Sequence, residues 1–239
     1  MLEPSDWRAL TIEASEPSAI LGYKGSLSKV HSVNLPLILN ITASTTSGEH
    51  VSKIISGSVI EALKMDIDCV AVHVNYTSIY ENQMLQQLAS VVMDADQYGI
   101  PVIAISYPRK LENGKDYNYE NIGEEEYTNL ICHCTRTSVE LGADIIKTQY
   151  TGSTKSFERV VMSAMGRPVV IAGGPLVEIE KAYEMAQSVM EAGAAGISYG
   201  RNVFNQENIK PFIAGIKKIV FEGADVRNAM DTYRRLVNV

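Results

Sequence analysis

The segment MLQQLASVVMDADQYGIPVIAISYP, residues 84–108, decides the fold, because it contains a helix pattern, a stop signal and a strand pattern in that order. Its first half repeats apolar residues at the i, i+3, i+4 and i+7 spacing of an amphipathic helix. Gly99 and Pro101 then end the helix before an apolar run. The same order of helix, glycine and strand recurs at LGADII (141–146), AMGRPVV (164–170) and EAGAAGI (191–197).

Seven short apolar runs alternate with amphipathic segments, and most of these runs are apolar at consecutive positions. Strands that are buried on both faces of a parallel sheet have this composition. The predicted strands are 19–25, 35–42, 69–75, 101–108, 143–150, 167–174 and 193–200. The predicted helices are 57–66, 80–98, 124–141, 154–165, 177–192 and 205–222. Such β-α-β repetition predicts an α/β protein with a parallel sheet and right-handed crossovers.

The length of 239 residues is that of one (β/α)₈ barrel or one large doubly wound domain. No linker divides the chain, so we expect a single domain over residues 1–239. Only seven strands are visible, however, and the connection from Gly25 to Leu35 has no helical period. The segment 109–123 is long, polar and charged, which is typical of a mobile active-site loop.

The composition excludes several classes of protein. Hydrophobic residues make up 46% of the chain and charged residues 21%, which excludes a disordered or fibrous chain. The net charge of −7, without a basic stripe, argues against nucleic-acid binding. No apolar run has the length of a membrane span, and residues 1–10 do not resemble a signal peptide. Three cysteines are too few for a disulfide framework, so we expect a cytoplasmic protein.

In parallel α/β folds, ligands bind at the carboxyl ends of the strands. Each predicted strand ends in polar residues or glycine, which suits an oxygen-rich, anionic ligand. These residues are Lys24, Thr42 with Ser44, His73 with Asn75, Tyr107 with Arg109, Lys147 with Thr148, Gly173 with Gly174, and Gly200 with Arg201.

Lys147 is the candidate nucleophile, because it follows Asp144-Ile145-Ile146 within a strand. Burial there would lower the pKa of the lysine and leave a neutral amine that can attack a carbonyl. A strand lysine in a salt bridge, or one that extends to the rim, explains the same position equally well. Lys24 is a weaker candidate, because Gly22 and Gly25 beside it indicate a turn.

Tyr107 is the candidate proton donor or acceptor, since a phenol at a strand end can exchange a proton with a developing alkoxide. A core tyrosine whose hydroxyl reaches the rim is the ordinary alternative. His73 is either a substrate contact or a hydrogen-bonded interior histidine, and Arg109 either pairs with an anion or is a surface arginine.

The segments AGGP (172–175) and YGRN (199–202) predict a phosphate site. Glycine lets backbone N–H groups approach a phosphate, and Arg201 adds a planar fork of donors. Cys132-His133-Cys134 does not predict a metal site, because residues two apart on a helix point to nearly opposite sides.

Together these segments resemble the archaeal-type class I aldolases, which include Schiff-base fructose-bisphosphate aldolases and 2-amino-3,7-dideoxy-heptulosonate synthases. The matching segments are GSVIEALKMDIDCVAVHVN (57–75), GIPVIAISYPR (99–109), LGADIIKTQYTG (141–152), PVVIAGGP (168–175) and EAGAAGISYGRNVF (191–204). The resemblance covers the chain from about residue 19 onward.

The resemblance implies a TIM-type (β/α)₈ barrel that lacks its first strand, and a homo-oligomer. Lys147 would form a Schiff base with a phosphorylated ketose, and Tyr107 would be the general acid/base. Gly173, Gly174, Gly200 and Arg201 would hold the phosphate, with His73, Asn75 and Arg109 as further substrate contacts. No metal or cofactor is implied, because the protonated imine is the electron sink.

Three departures from the family pattern bear on activity. The first strand of the family ends in Asp-His-Gly, which is absent here, and residues 1–18 resemble a remnant of the helix that follows it. Lys110 replaces the glycine of the YPRG motif, and Ile105 stands where bisphosphate aldolases often carry tryptophan. The Ile105 change, with HVN at 73–75, favours the heptulosonate-synthase branch.

Three functions remain open at this point. The first is a Schiff-base aldolase or transaldolase that acts on a phosphorylated keto sugar. The second is a catalytically impaired barrel that binds sugar phosphates. The third, a thiolase-like relative of these aldolases, is disfavoured because that branch lacks the YPR tyrosine that is present here as Tyr107.

Overall fold

The computed structural model describes residues 19–27, 35–45, 50–119 and 121–238. The predicted remnant of a first helix, residues 1–18, lies outside these described residues. Within them the strands are β1 Ile20–Gly22, β2 Leu37–Asn40, β3 Thr42–Ala43, β4 Ile54–Ile55, β5 Cys69–Tyr76, β6 Val102–Pro108, β7 Lys110–Glu112, β8 Lys115–Tyr117, β9 Ile145–Thr148, β10 Val169–Ala172 and β11 Gly196–Ser198.

The helices surround this sheet in the alternating order that the sequence predicts. They are α1 Lys24–Leu27, α2 Val59–Lys64, α3 Glu81–Asp96, α4 Glu124–Glu140, α5 Thr154–Ser163, α6 Ile179–Glu191, α7 Arg201–Phe204, α8 Ile209–Glu222 and α9 Val226–Val237. All six predicted helices are present, with ends that differ by a few residues.

Seven strands form one parallel sheet in the order β1-β2-β5-β6-β9-β10-β11. Each strand of this sheet therefore pairs with the next one along the chain, as in a barrel wall. The register places Lys147 between Ile105 of β6 and Val170 of β10. The prediction of seven parallel strands is confirmed, although β1 is only three residues long and a helical turn follows it.

Two elements near the C-terminus were not predicted separately. The predicted helix 205–222 begins at Ile209, and the short helix α7 precedes it. Helix α8 ends at Gly223, which has the left-handed φ of 64° that favours glycine. Helix α9 then begins after Asp225, whose side chain accepts a hydrogen bond from the backbone N–H of Asn228.

The segment 109–123, which the sequence indicated as a long loop, contains a β-hairpin. Strands β7 and β8 pair antiparallel around Asn113-Gly114, and both of these residues have positive φ. An Asn-Gly pair is the preferred sequence for such a two-residue turn. The Asn-Gly pair therefore indicated a turn, but the polar residues on both sides lack the apolar alternation that is typical of strands.

A second short ribbon extends the sheet beyond the carboxyl end of β2. Strand β3 follows β2 almost directly, and β4 returns antiparallel to it, with Thr42 opposite Ile55 and Ala43 opposite Ile54. The sequence analysis did not predict this ribbon. Through this ribbon, the chain after residue 50 returns to the carboxyl edge of the sheet.

Alternate residues of the central strands belong to two different apolar clusters. Val70, Val72 and Val74 of β5 pack into the larger cluster, which includes helix residues such as Met84 and Leu88. The smaller cluster lies on the opposite, inner face and consists of Cys69, Ala71, Ile103 and Ile105, with Tyr107 and Ile145 packed against it. The strands are therefore buried on both faces, as their composition predicted.

Buried hydroxyl groups connect three strands and a helix on the outer face. Ser138 of α4 lies 2.6 Å from the hydroxyl of Tyr76 and 2.6 Å from that of Ser106, oxygen to oxygen. Thr148 Oγ1 donates to the backbone carbonyl of Ser106 at 2.9 Å. Because Tyr76, Ser106 and Thr148 are also fully buried, these bonds fix β5, β6 and β9 relative to one another.

We expect Ser138→Ala to lower the free energy of unfolding by about 1–3 kcal/mol, because two buried hydroxyls lose their shared partner. Urea denaturation monitored by circular dichroism measures the change. Ser188→Ala on the half-buried side of α6 is the control and should change stability by less than about 0.5 kcal/mol. Equal stability of the two variants would contradict a structural role for Ser138.

Candidate functional site

The inner face of the sheet brings three of the predicted residues together near the carboxyl ends of the strands. Asn75 lies opposite Tyr107 in the register of β5 and β6, and His73 lies opposite Ile105. Ile105 in turn lies opposite Lys147 on β9. His73, Tyr107 and Lys147 therefore occupy neighbouring strands, and residues two apart on a strand share a face.

Lys147 is half-buried on the inner face of β9. Burial lowers the pKa of its ammonium group from 10.5 to about 8, and no carboxylate among the described residues opposes this effect. Lys147 has no salt bridge among the described residues, which argues against the alternative of a salt-bridged strand lysine. Because the neutral form of the amine is the nucleophile, a substantial fraction of Lys147 can react near neutral pH.

Tyr107 lies beside His73, with the two ring centroids 5.0 Å apart and the ring planes at 88°. Burial raises the pKa of the Tyr107 phenol, while the positive charges of Arg109 and Arg201 act in the opposite direction. The phenol is therefore protonated at neutral pH, so in this state it can donate a proton.

His73 is an uncharged imidazole in a positively charged environment. Burial lowers its pKa well below the usual value, and the charges of Lys53, Arg109 and Lys147 lower it further. Its Nε2 atom is buried without a hydrogen-bond partner among the described residues, and the same holds for Oδ1 of Asn75. Both atoms can therefore bond a ligand, and the two interpretations of His73, substrate contact and interior histidine, stay open.

Lys53 is a site residue that the sequence analysis did not identify. It is only 7% exposed, and its ammonium group donates to Ser44 Oγ. Burial and, to a smaller extent, the charge of Arg109 lower its pKa to about 8, against the opposite effect of Asp116. No local sequence pattern marks Lys53, because its position depends on the pairing of β3 with β4.

Hydrogen bonds hold Arg109 and the backbone of β5 in place. Arg109 Nε donates to Asn118 Oδ1 at 2.7 Å, and its backbone N–H donates to the carbonyl of Tyr76 at 2.8 Å. The backbone N–H of His73 donates to Thr42 Oγ1 at 3.0 Å. Thr42 therefore supports the site, whereas Thr148 faces the helices and does not line it.

The predicted phosphate residues meet at the ends of β10 and β11, where Asn202 links them. Asn202 is fully buried, and its Nδ2 donates to the carbonyls of Gly173 at 2.6 Å and Pro175 at 2.9 Å. Its Oδ1 accepts from the backbone N–H of Val177 at 2.9 Å. Asn202 therefore fixes the loop after β10 beside Gly200 and Arg201.

Glycine is required at Gly173 for packing and favoured at Gly174 by its backbone. A Cβ at Gly173 would lie 2.6 Å from Tyr199 Cδ1, which is closer than atoms can pack. Gly174 has a φ of 66° and open space around it, so its backbone is exposed at the end of β10. A phosphate-binding role for the AGGP segment stays a prediction.

Other candidates lie outside the site. Lys24 is largely exposed and forms an ion pair with Glu61, so the structure does not place it with Lys147. Lys110, which replaces the family glycine, forms an ion pair with Glu112 at 3.1 Å and lies over the ring of Tyr117. Ile105 belongs to the inner apolar cluster.

The cysteines form no metal site in the part of the chain that the structure describes. Burial raises the pKa of the Cys134 thiol well above its usual value and also raises that of Cys132. No group of three His, Cys, Asp or Glu residues that could hold a metal ion occurs among the described residues. In the same residues, no helix is long and apolar enough to cross a membrane.

Comparison with protein families gives one match over most of the chain. The family model described as "DeoC/LacD family aldolase" matches residues 8–206. The 2-amino-3,7-dideoxy-D-threo-hept-6-ulosonate synthase of Halobacterium salinarum is 36% identical over 222 residues, or 92% of this chain and 80% of that protein. The class 1 fructose-bisphosphate aldolase of Thermoproteus tenax is 33% identical over 203 residues, or 84% and 73%.

Solved structures with the same fold include two archaeal fructose-1,6-bisphosphate aldolases. One, with its catalytic lysine covalently bound to the carbinolamine intermediate of the substrate, has a TM-score of 0.81 and 27% identity, over 91% of this chain and 84% of that chain. Another has a TM-score of 0.76 and 29% identity, over 85% and 78%. These likenesses confirm the prediction of a TIM-type barrel fold.

We expect the amine of Lys147 to titrate near pH 8. Its rate of carbamylation by cyanate should rise as the pH passes through 8 and level off above it, because only the neutral amine reacts. Peptide mass spectrometry measures the rate at Lys147 separately from that at Lys53. N-acetyl-lysine in the same tube is the control, with a midpoint near the ordinary value of about 10.4. A midpoint near 10 for Lys147 would contradict the effect of burial.

Proposed function

The chain belongs to the DeoC/LacD family of aldolases, and from this premise we propose that Lys147 and Tyr107 carry out its reaction. The protein is a Schiff-base aldolase that makes or breaks a carbon–carbon bond in a phosphorylated keto sugar. The observation that carries the assignment of Lys147 is its position at the carboxyl end of β9. It is half-buried there and has no salt bridge to any residue that the structure describes.

Lys147 acts as the nucleophile. Its neutral amine attacks the ketose carbonyl, and loss of water from the resulting carbinolamine, with uptake of one proton, leaves a protonated imine. The imine nitrogen takes up the electron pair when the neighbouring carbon–carbon bond breaks and returns it when that bond forms. This chemistry requires no metal, because the iminium ion is the electron sink.

Tyr107 transfers the proton at the acceptor oxygen. In bond formation the aldehyde oxygen becomes an alkoxide, and the protonated phenol supplies its proton. In bond cleavage the hydroxyl on that carbon loses its proton as the aldehyde forms, and the phenolate of Tyr107 accepts it. Burial raises the pKa of Tyr107, and the charges of Arg109 and Arg201 act against this effect and so favour the phenolate.

Backbone and side-chain donors bind the substrate phosphate at the ends of β10 and β11. Gly174 presents exposed backbone beside the buried Gly173, and Arg201 contributes a charged fork of donors from the next strand end. His73, Asn75 and Arg109 contact the remaining oxygen atoms of the substrate. The unpartnered buried atoms of His73 and Asn75 support this assignment.

The choice of substrate lies between the two branches to which the relatives belong. We favour the heptulosonate-synthase branch, because the relative with 36% identity has that name and Ile105 stands where bisphosphate aldolases often carry tryptophan. The alternative of an impaired barrel that only binds sugar phosphates is not favoured, since Lys147 and Tyr107 are both in place. On the same grounds we propose a cytoplasmic homo-oligomer with a role in aromatic amino acid biosynthesis.

Borohydride reduction in the presence of dihydroxyacetone phosphate should attach the ketose to Lys147, because the imine becomes a stable secondary amine. Peptide mass spectrometry locates the label. Lys147→Met should abolish it, whereas Lys64→Met, an exposed lysine in the last turn of α2, should not. A label on Lys53 or Lys24 instead would overturn the assignment.

Arg201→Ala should reduce kcat/KM for a phosphorylated ketose by roughly 10- to 100-fold, because a charge-assisted hydrogen bond is lost. The dephosphorylated ketose should lose much less. Steady-state assays with both substrates measure the difference. Arg227→Ala, on the exposed side of α9, removes the same charge elsewhere and is the control. Equal loss for both ketoses would show that Arg201 does not bind the phosphate.

A further inference from the structure

We propose that Asn118 is a positioning residue of the candidate site, which orients the guanidinium of Arg109 towards the substrate. The β7–β8 hairpin begins directly after Arg109, ends directly before Asn118 and so brings the two side chains together. This inference rests on the proposed aldolase function and deepens it, since it gives the hairpin a part in substrate binding.

The register of the hairpin places Asn118 opposite Arg109. Strands β7 and β8 pair Lys110 with Tyr117, so Arg109 and Asn118 are the next two opposing residues. Residues directly opposite each other across two antiparallel strands have neighbouring side chains. The side-chain contact agrees with this register, because Arg109 Nε donates to Asn118 Oδ1 at 2.7 Å.

The two-residue turn of the hairpin determines this register. Glu112 lies opposite Lys115, so Asn113 and Gly114 alone connect the strands. Both turn residues have positive φ, of 51° and 72°, as the tight turn of a hairpin requires. A slip of the pairing by one residue would turn the side chain of Asn118 to the other face of the hairpin.

Contacts of Lys110 hold the two strands of the hairpin together. Lys110 forms an ion pair with Glu112 at 3.1 Å, and its ammonium group lies 5.3 Å from the ring centroid of Tyr117 and 5.6 Å from that of Tyr119. The two tyrosine rings are 4.8 Å apart, centroid to centroid. The glycine of the YPRG motif would supply none of these side-chain contacts, so Lys110 stabilises the hairpin in this chain.

Arg109 itself lies on the side of the candidate site. Its backbone N–H donates to the carbonyl of Tyr76 at 2.8 Å, so its main chain continues β6 beyond Pro108. Residues two apart on a strand share a face, which puts Arg109 on the same side as Tyr107. Its positive charge acts against the rise in the pKa of the Tyr107 phenol and helps to lower the pKa of His73.

The contribution of Asn118 is the direction of the guanidinium. An arginine side chain is long and flexible, whereas its N–H donors point in fixed directions within one plane. Because Nε is bonded to Asn118, the terminal NH₂ groups of Arg109 are the donors that can bond substrate oxygens. Without this bond the guanidinium can turn towards solvent, where it neither contacts the substrate nor acts on Tyr107.

A double-mutant cycle measures whether Asn118 acts through Arg109. Asn118→Leu removes the acceptor oxygen at nearly constant volume and should lower kcat/KM for a phosphorylated ketose by roughly 10- to 100-fold. In an Arg109→Ala background the same substitution should change kcat/KM by less than about twofold, because the group that it orients is gone. Equal losses in both backgrounds would overturn the inference, since Asn118 would then act on the fold alone.

Two further variants separate positioning from a general effect of substitution. Asn118→Asp keeps an oxygen acceptor at the same place and should retain most of the activity, and a loss as large as that of Asn118→Leu would contradict the role. Asn129→Leu is the matched control and should leave kcat/KM unchanged. Asn129 Oδ1 also accepts a hydrogen bond from a guanidinium, that of Arg159, but it does so on the exposed side of α4.

Imine trapping by the unmodified protein distinguishes failure of this inference from failure of the proposed function. If trapping succeeds and the cycle shows no coupling, Asn118 is not a positioning residue and the aldolase function stands. If trapping fails, the aldolase function is wrong, and so is the role of Asn118 in it. Asn118→Ala repeats the cycle, so that misfolding of one variant does not decide the result.

Discussion

The alternation of side chains along buried parallel strands is the constraint on which the site depends. Each central strand must supply apolar residues to the helices on one face and to the interior on the other. Near the carboxyl ends the outer positions remain buried, as Ser106 and Thr148 show, while the inner positions become His73, Tyr107 and Lys147. The alternation of side chains between the two faces therefore produces both the apolar core and the candidate site.

The charges of the site follow from the same arrangement. Lys147, Lys53 and Arg109 all act on the His73 imidazole, which remains neutral among them. Within the described residues, Lys53 donates to a hydroxyl group and Arg109 to an amide group. The positive charges of Lys147, Lys53 and Arg109 therefore favour anionic substrates over neutral ones.

The sequence predicted what depends on local periodicity. The seven parallel strands, the six main helices and the position of Lys147 all follow from short patterns that repeat along the chain. Lys53 and Asn202 could not be assigned roles in this way, because each acts through partners that are distant in the sequence. Lys53 needs the pairing of β3 with β4, and Asn202 bonds to residues about 25 positions earlier.

Asn202 has a further consequence for ligand binding. Both the NH₂ group and the oxygen of its side-chain amide form hydrogen bonds with the loop after β10. These bonds restrict the conformations of that loop before any ligand binds. Ordering a flexible loop around a ligand would consume part of the free energy of binding as lost entropy. Here the folding of the protein has already met that cost, and the loop after β10 can receive a ligand as a rigid, preorganised surface.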